Sequence, residues 1–93
     1  PLEHREHFIT RLQKNNRVQV PVLIRWKNKL NPGEILHVCV ENSNREYCYC
    51  RLSRDGRLTV PKILIQRCEV EPGDVLKVTL YPEGAGSRLT SNP

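Results

Sequence analysis

Apolar and polar residues alternate in several short stretches of this chain, and the stretches come in pairs. Arg17-Val18-Gln19-Val20 and Arg57-Leu58-Thr59-Val60 have period two, with Val18, Val20, Leu58 and Val60 on the apolar side. The same period places Leu36, Val38 and Val40 on one face, and Leu76, Val78 and Leu80 on another. Period two over such short runs predicts strands with one buried face. Phe8-Ile9-Thr10-Arg11-Leu12 and Cys48-Tyr49-Cys50-Arg51-Leu52 read as further short strands, Phe8, Thr10 and Leu12 sharing a face as Cys48, Cys50 and Leu52 do.

Turn chemistry separates these runs. Asn15-Asn16 and Asp55-Gly56 predict hairpin turns, because both central positions of a type I′ turn need positive φ. Pro21 and Pro61 end the return strands: proline has no N–H for a ladder but is pre-set for a first helical turn. Short helices are therefore expected near 22–29 and 62–68. Asn31-Pro32-Gly33-Glu34 and Glu71-Pro72-Gly73-Asp74 form the next turns, where the carboxylate can accept backbone N–H bonds at the bend. Turn chemistry also accounts for Gly33-Glu34 and Gly73-Asp74 better than a catalytic carboxylate pair does.

The pairing of these features is an internal repeat. Shifted by forty positions, residues 8–40 fall on 48–80 without a gap, and nine positions are identical: Arg11, Leu12, Arg17, Val20, Pro21, Pro32, Gly33, Leu36 and Val38 with their partners. Two copies are too few for a solenoid, which needs about three or more units. They can instead pack across a pseudo-twofold axis and share one core, as subunits do in an isologous dimer. The expected fold is mainly β with two short helices, a six-stranded closed barrel built from two strand–strand–helix–strand repeats. Its expected organisation is a frayed N-terminus over 1–7, a single duplicated barrel over 8–81 (repeat one 8–40, connector 41–47, repeat two 48–81) and a flexible tail over 82–93.

One stretch carries a family resemblance. Arg51-Leu52-Ser53-Arg54-Asp55-Gly56-Arg57-Leu58-Thr59-Val60-Pro61-Lys62, followed by Val70-Glu71-Pro72-Gly73-Asp74-Val75-Leu76, resembles the AbrB/MazE-type unit of the cradle-loop barrels. The first copy, through Asn16-Arg17-Val18-Gln19-Val20-Pro21 and Pro32-Gly33-Glu34, resembles it more weakly, and Val22 stands where the second copy has Lys62. The resemblance covers about residues 8–81. It implies a closed barrel with pseudo-twofold symmetry, here with both units in one chain, so that a monomer is complete. Between the related topologies (swapped-hairpin, double-psi and RIFT) the short connector favours a RIFT-like one. The resemblance further implies a non-enzymatic transcription regulator that binds double-stranded DNA through basic residues on the barrel. The matching positions are Arg11, Lys14 and Arg17 in copy one and Arg51, Arg54 and Arg57 in copy two. Arginine suits this task, since its planar fork matches phosphate oxygens and the guanine edge.

Composition bounds these expectations. The chain has 93 residues, 15 Lys and Arg against 10 Asp and Glu, and a formal net charge of +5. That charge permits a nucleic-acid or acidic partner without requiring either. A domain of this size has a thin core and no room for a deep private cleft. No apolar run approaches the roughly 18–20 residues of a membrane span, and residues 1–7 have no apolar signal core. Cys39, Cys48, Cys50 and Cys68 include no C-x-x-C pair, so thiols of a cytoplasmic protein are expected rather than a metal site. No glycine-rich phosphate loop or nucleophile–histidine–acid set is apparent, and neither cofactor nor enzyme activity is expected. Trp26 reads as a partly buried anchor, with base stacking as the lesser reading. His37 reads as a surface residue, and Asn28 as a helix-end cap. A protein-interaction barrel without nucleic acid stays open beside the DNA reading.

Overall fold

The computed structural model describes residues 1–82. Six strands and two short helices follow in order: β1 (Glu6–Arg11), β2 (Arg17–Gln19), α1 (Val22–Lys27), β3 (Ile35–Glu41), β4 (Arg45–Arg51), β5 (Arg57–Thr59), α2 (Lys62–Cys68) and β6 (Val75–Tyr81). The elements of one copy sit forty residues from those of the other, as the repeat requires. Both helices start directly after the prolines, Pro21 at φ −55° and Pro61 at φ −54°.

The strands form two antiparallel sheets, one of four in the order β1-β6-β3-β4 and one of β2 with β5. Each ladder joins strands from different copies. The expected hairpins therefore stop almost as soon as they start. Past the turn, β1 and β2 share only the Gln13–Arg17 bridge. Leu12 turns instead toward copy two, its N–H donating to the Asp74 carbonyl at 2.9 Å and its carbonyl accepting from Gly73 at 2.7 Å. Leu52 does the same toward Glu34 and Gly33, at 2.8 and 2.7 Å. The turns differ as well. Asn15 and Asn16 both take positive φ, whereas in copy two only Gly56 does. The ladders do not run round into one closed barrel among the described residues. Chain turns, not paired strands, bridge β1 to β2 and β4 to β5.

The register locates the pseudo-twofold axis. Val18 pairs with Leu58 and Cys39 with Thr79, and each of these pairs consists of equivalent residues of the two copies. The axis thus enters through the β2–β5 ribbon and leaves through the middle of the four-stranded sheet. Between them lies the core. Val18, Val20, Leu58, Val60, Leu36, Val38, Val40, Leu76, Val78 and Leu80 are all buried, as period two predicts. Burying such side chains contributes about 1.5–3 kcal/mol each, which is how two halves that lack cores of their own fold together.

Three boundaries differ from expectation. Within the N-terminal segment, Leu2 is packed into the core and β1 begins at Glu6, two residues ahead of the expected start of the barrel. The polar connector is a tight link of three residues, 42–44, between β3 and β4. Its polarity serves the turn, and Asn42 and Asn44 anchor it by donating to the Val75 and Arg67 carbonyls at 2.8 and 2.6 Å. Both helices are short, and α1 ends at Lys27 rather than 29 because Lys29 takes φ 52°. The tail expected over 82–93 lies, beyond Pro82, outside the described residues.

Candidate nucleic-acid interface

The β2–β5 ribbon forms one end of the axis. Val18 and Leu58 point inward, so Arg17, Gln19, Arg57 and Thr59 point outward by alternation. Lys14 and Arg54 occupy the two turn tips, which antiparallel pairing sets at opposite ends of the ribbon. Four of the six basic residues expected to bind DNA thus come together here. Each ribbon arginine reaches across the copies or along its own turn. Arg17 donates to Asp55 at 3.1 Å, and Arg57 pairs with Asp55 and donates to Gln13 Oε1 at 2.8 Å. Gln19 donates to the carbonyls of Asp55 and Gly56 at 2.9 and 3.1 Å. The Ser53 hydroxyl, with Arg17 and Arg57 behind it, holds the Asp55 carboxyl below the usual carboxylate range. The face carries four cations against that carboxylate.

Arg11 and Arg51 lie elsewhere. Each closes a bend of the other copy, Arg11 donating to the Gly73 carbonyl at 2.8 Å and Arg51 to the Gly33 carbonyl at 2.9 Å. Glu34 and Asp74 accept from the backbone N–H of Asn31 and Glu71 at 2.8 and 2.9 Å, the turn chemistry expected of them.

The other end of the axis is the outer face of the four-stranded sheet, and it was not anticipated. All three tyrosines of the chain gather there around His37. Tyr49 stacks on the imidazole at 4.7 Å between centroids, and Tyr81 and Tyr47 lie at 5.2 and 6.1 Å. Arg5 sits over the Tyr81 ring, 5.1 Å from its centroid. His37 is not a surface residue: the rings leave it 8% exposed, and its Nδ1 has no hydrogen-bond partner. Burial lowers its pKa, pushes the Cys39 thiol up, and raises the Tyr81 phenol to about 12. Beside this patch opens a cleft of about 330 Å³ that includes Arg5, His7, Arg45 and Lys77, with Glu41 as its carboxylate.

Trp26 differs from its expected role as an anchor. It is 71% exposed, because the short α1 covers the core with Ile24 and not with its far side. Asn28 does cap, donating to the Ile24 carbonyl at 2.9 Å and also to Glu6 at 2.9 Å. The four cysteines are free thiols. Cys48 and Cys50 share a face as C-x-C on a strand predicts, with sulfurs 3.5 Å apart. Their shared hydrogen bond eases ionisation of Cys50 and suppresses that of Cys48. Among the described residues, no three His, Cys, Asp or Glu side chains come together as a metal site would need, and no helix is long and apolar enough to cross a membrane.

Together these features define a duplicated, mainly β domain with a distinct polar surface at each end of its axis. No family model matches the chain, and no curated protein does. Among solved structures it is similar to the solution structure of PHS018 from Pyrococcus horikoshii, with a TM-score of 0.70 and 21% identity over 83% of this chain and 94% of that one. At that identity the likeness shows the fold alone.

Proposed function

We propose that this protein is a non-enzymatic, AbrB-like DNA-binding regulator that lays its β2–β5 ribbon against duplex DNA. The observation that carries this reading is the outward row of Arg17, Gln19, Arg57 and Thr59, centred on the pseudo-twofold axis, with Lys14 and Arg54 at its ends. The major groove of B-DNA is about 12 Å wide and admits a two-stranded ribbon. Arginine pairs with guanine and glutamine with adenine by two hydrogen bonds each, while lysine and arginine at the ends suit phosphates. A twofold reader matches the dyad of a palindromic site, which would let one chain do what dimeric readers do with two. Asp55 restrains Arg17 and Arg57 in the free protein and exchanges them for DNA.

We also read the two sheets as a cradle-loop barrel closed by its turns.

Titration of labelled duplex at two salt concentrations tests the function. Each phosphate contact contributes about 0.9 to the slope of log affinity against log salt. Binding that weakens steeply with salt, and weakens further in Arg17→Ala/Arg57→Ala, supports the reading. Absence of duplex binding at low salt rejects it and leaves a protein-interaction barrel.

A further inference from the structure

We propose that the outer face of the four-stranded sheet binds single-stranded nucleic acid, stacking bases on Tyr47 and Tyr49 and holding the backbone with Arg5, Arg45 and Lys77. This is a second surface, at the opposite end of the axis from the ribbon, and it does not rest on the ribbon reading.

The proposal starts from where the repeat fails. Inward, the two copies agree: Leu36 with Leu76, Val38 with Val78, Leu12 with Leu52. On the outer sheet face they part. Tyr47, Tyr49 and Tyr81 stand where the other copy has His7, Ile9 and Glu41, and His37 stands where it has Lys77. Arg5 and Arg45 are also equivalents, but Arg45 pairs with the Glu41 carboxylate at 3.3 Å while Arg5 covers the Tyr81 ring. One half of the face is aromatic, with Arg5 over Tyr81, and a cleft of about 330 Å³ runs from there to Arg45, Lys77 and Glu41 in the other half. Packing does not demand this difference, since these side chains point away from the core.

Such a surface matches a ligand with an aromatic end and an anionic end. Tyr47 and Tyr49 are 48% and 54% exposed, which leaves ring surface for stacking. Base–aromatic stacking contributes about 1–3 kcal/mol per base and tolerates any sequence. Arg5, Arg45 and Lys77 outnumber Glu41 and supply the phosphate contacts. The buried Nδ1 of His37 lacks a partner, and a buried polar atom is normally paired. A base edge inserted beside Tyr49 would supply one. A single strand is also directional, so an asymmetric surface suits it.

The test is fluorescence anisotropy of a labelled ten-nucleotide oligothymidylate with the full chain, at low and moderate salt. Tyr47→Ala/Tyr49→Ala should weaken binding at least tenfold, and Arg5→Ala severalfold with a shallower salt dependence. Both sites are exposed, and circular dichroism confirms that the variants fold. Arg17→Ala/Arg57→Ala should leave single-strand affinity unchanged, which separates this surface from the ribbon. The proposal is overturned if the oligonucleotide does not bind at low salt, if the double tyrosine variant binds as wild type does, or if thymidine monophosphate binds as tightly as the oligomer. It is equally overturned if sedimentation shows a dimer that the tyrosine variant dissociates while single-strand affinity stays the same.

Discussion

The guanidinium of Arg51 donates to the carbonyl of Gly33 at 2.9 Å, tying the last residue of β4 to the bend before β3. Its equivalent, Arg11, makes the same contact with Gly73 at 2.8 Å. Both bonds are solvent-exposed and cross between copies, so their weight falls on holding the halves together. The double variant Arg11→Ala/Arg51→Ala should lose roughly 1–2 kcal/mol, about 0.5–1 per bond. Urea denaturation measures this, and duplex affinity should change less than about twofold. A large loss of affinity with unchanged stability would assign these arginines to DNA instead.

Arg17 and Arg57 should behave in the opposite way. They meet at Asp55 on the ribbon, their side chains 32% and 31% exposed. Arg17→Ala/Arg57→Ala should weaken duplex binding by about 1–3 kcal/mol per arginine and relax its sequence preference, measured by titrating matched and mismatched duplexes, with less than about 1 kcal/mol lost in stability.

If the ribbon binds duplex as proposed, Asp55→Asn removes the carboxylate that holds both arginines away from it. Duplex affinity should rise roughly threefold to tenfold at low salt, since a like charge facing phosphates is lost. Filter binding beside wild type checks it, and an unchanged affinity would mean that Asp55 does not restrain the ribbon.

Gly56 takes φ +78°, and a Cβ there would overlap the guanidinium of Arg25, which is itself held by the Val20 carbonyl at 3.0 Å. Gly56→Ala should cost about 1–2 kcal/mol from the left-handed backbone alone, and more from displaced Arg25. Asn16, its equivalent at φ 59°, already tolerates the left-handed region as asparagine does. Asn16→Gly should change stability by less than about 0.5 kcal/mol. Thermal unfolding of the two variants compares them.

His37 makes stability depend on pH. Burial lowers its pKa in the folded chain below the unfolded value of about 6.5. Above that value the imidazole is neutral in both states and contributes no pH dependence. As pH falls below it, the unfolded chain takes up the proton first, so stability declines until the folded pKa is reached, by at most about 1.4 kcal/mol per pH unit. Melting temperatures between pH 7.5 and 5 should fall more steeply for wild type than for His37→Phe. Parallel curves would show that His37 titrates normally.

What could be read in the residues follows from how local each signal is. The alternation of Val18 and Val20, the stop at Pro21, the bend at Pro32-Gly33-Glu34 and the repetition of all three forty residues later depend on neighbours in the chain, and they were legible. So was the basic character of Lys14, Arg17, Arg54 and Arg57. The strand partners were not legible, because period two states which face of a strand is buried and is silent on which strand lies beside it. The hairpin expected at Asn15-Asn16 yields after one bridge because Leu12 finds better partners in Asp74 and Gly73.

The same limit hid the tyrosine cluster. Tyr47, Tyr49 and Tyr81 meet His37 only through the β3–β4 and β3–β6 registers, although the mismatch of Tyr81 with Glu41 across the copies was a signal in plain view. By itself, then, the sequence determined two like halves, their strands, bends and buried faces, since each of these is set by residues a few positions apart. Only the tertiary structure decided that every ladder would join one half to the other, that Arg11 and Arg51 would bind backbone, and that three tyrosines would cover one histidine. Those outcomes depend on register between distant segments, which is chosen by burying both halves' apolar faces in one core.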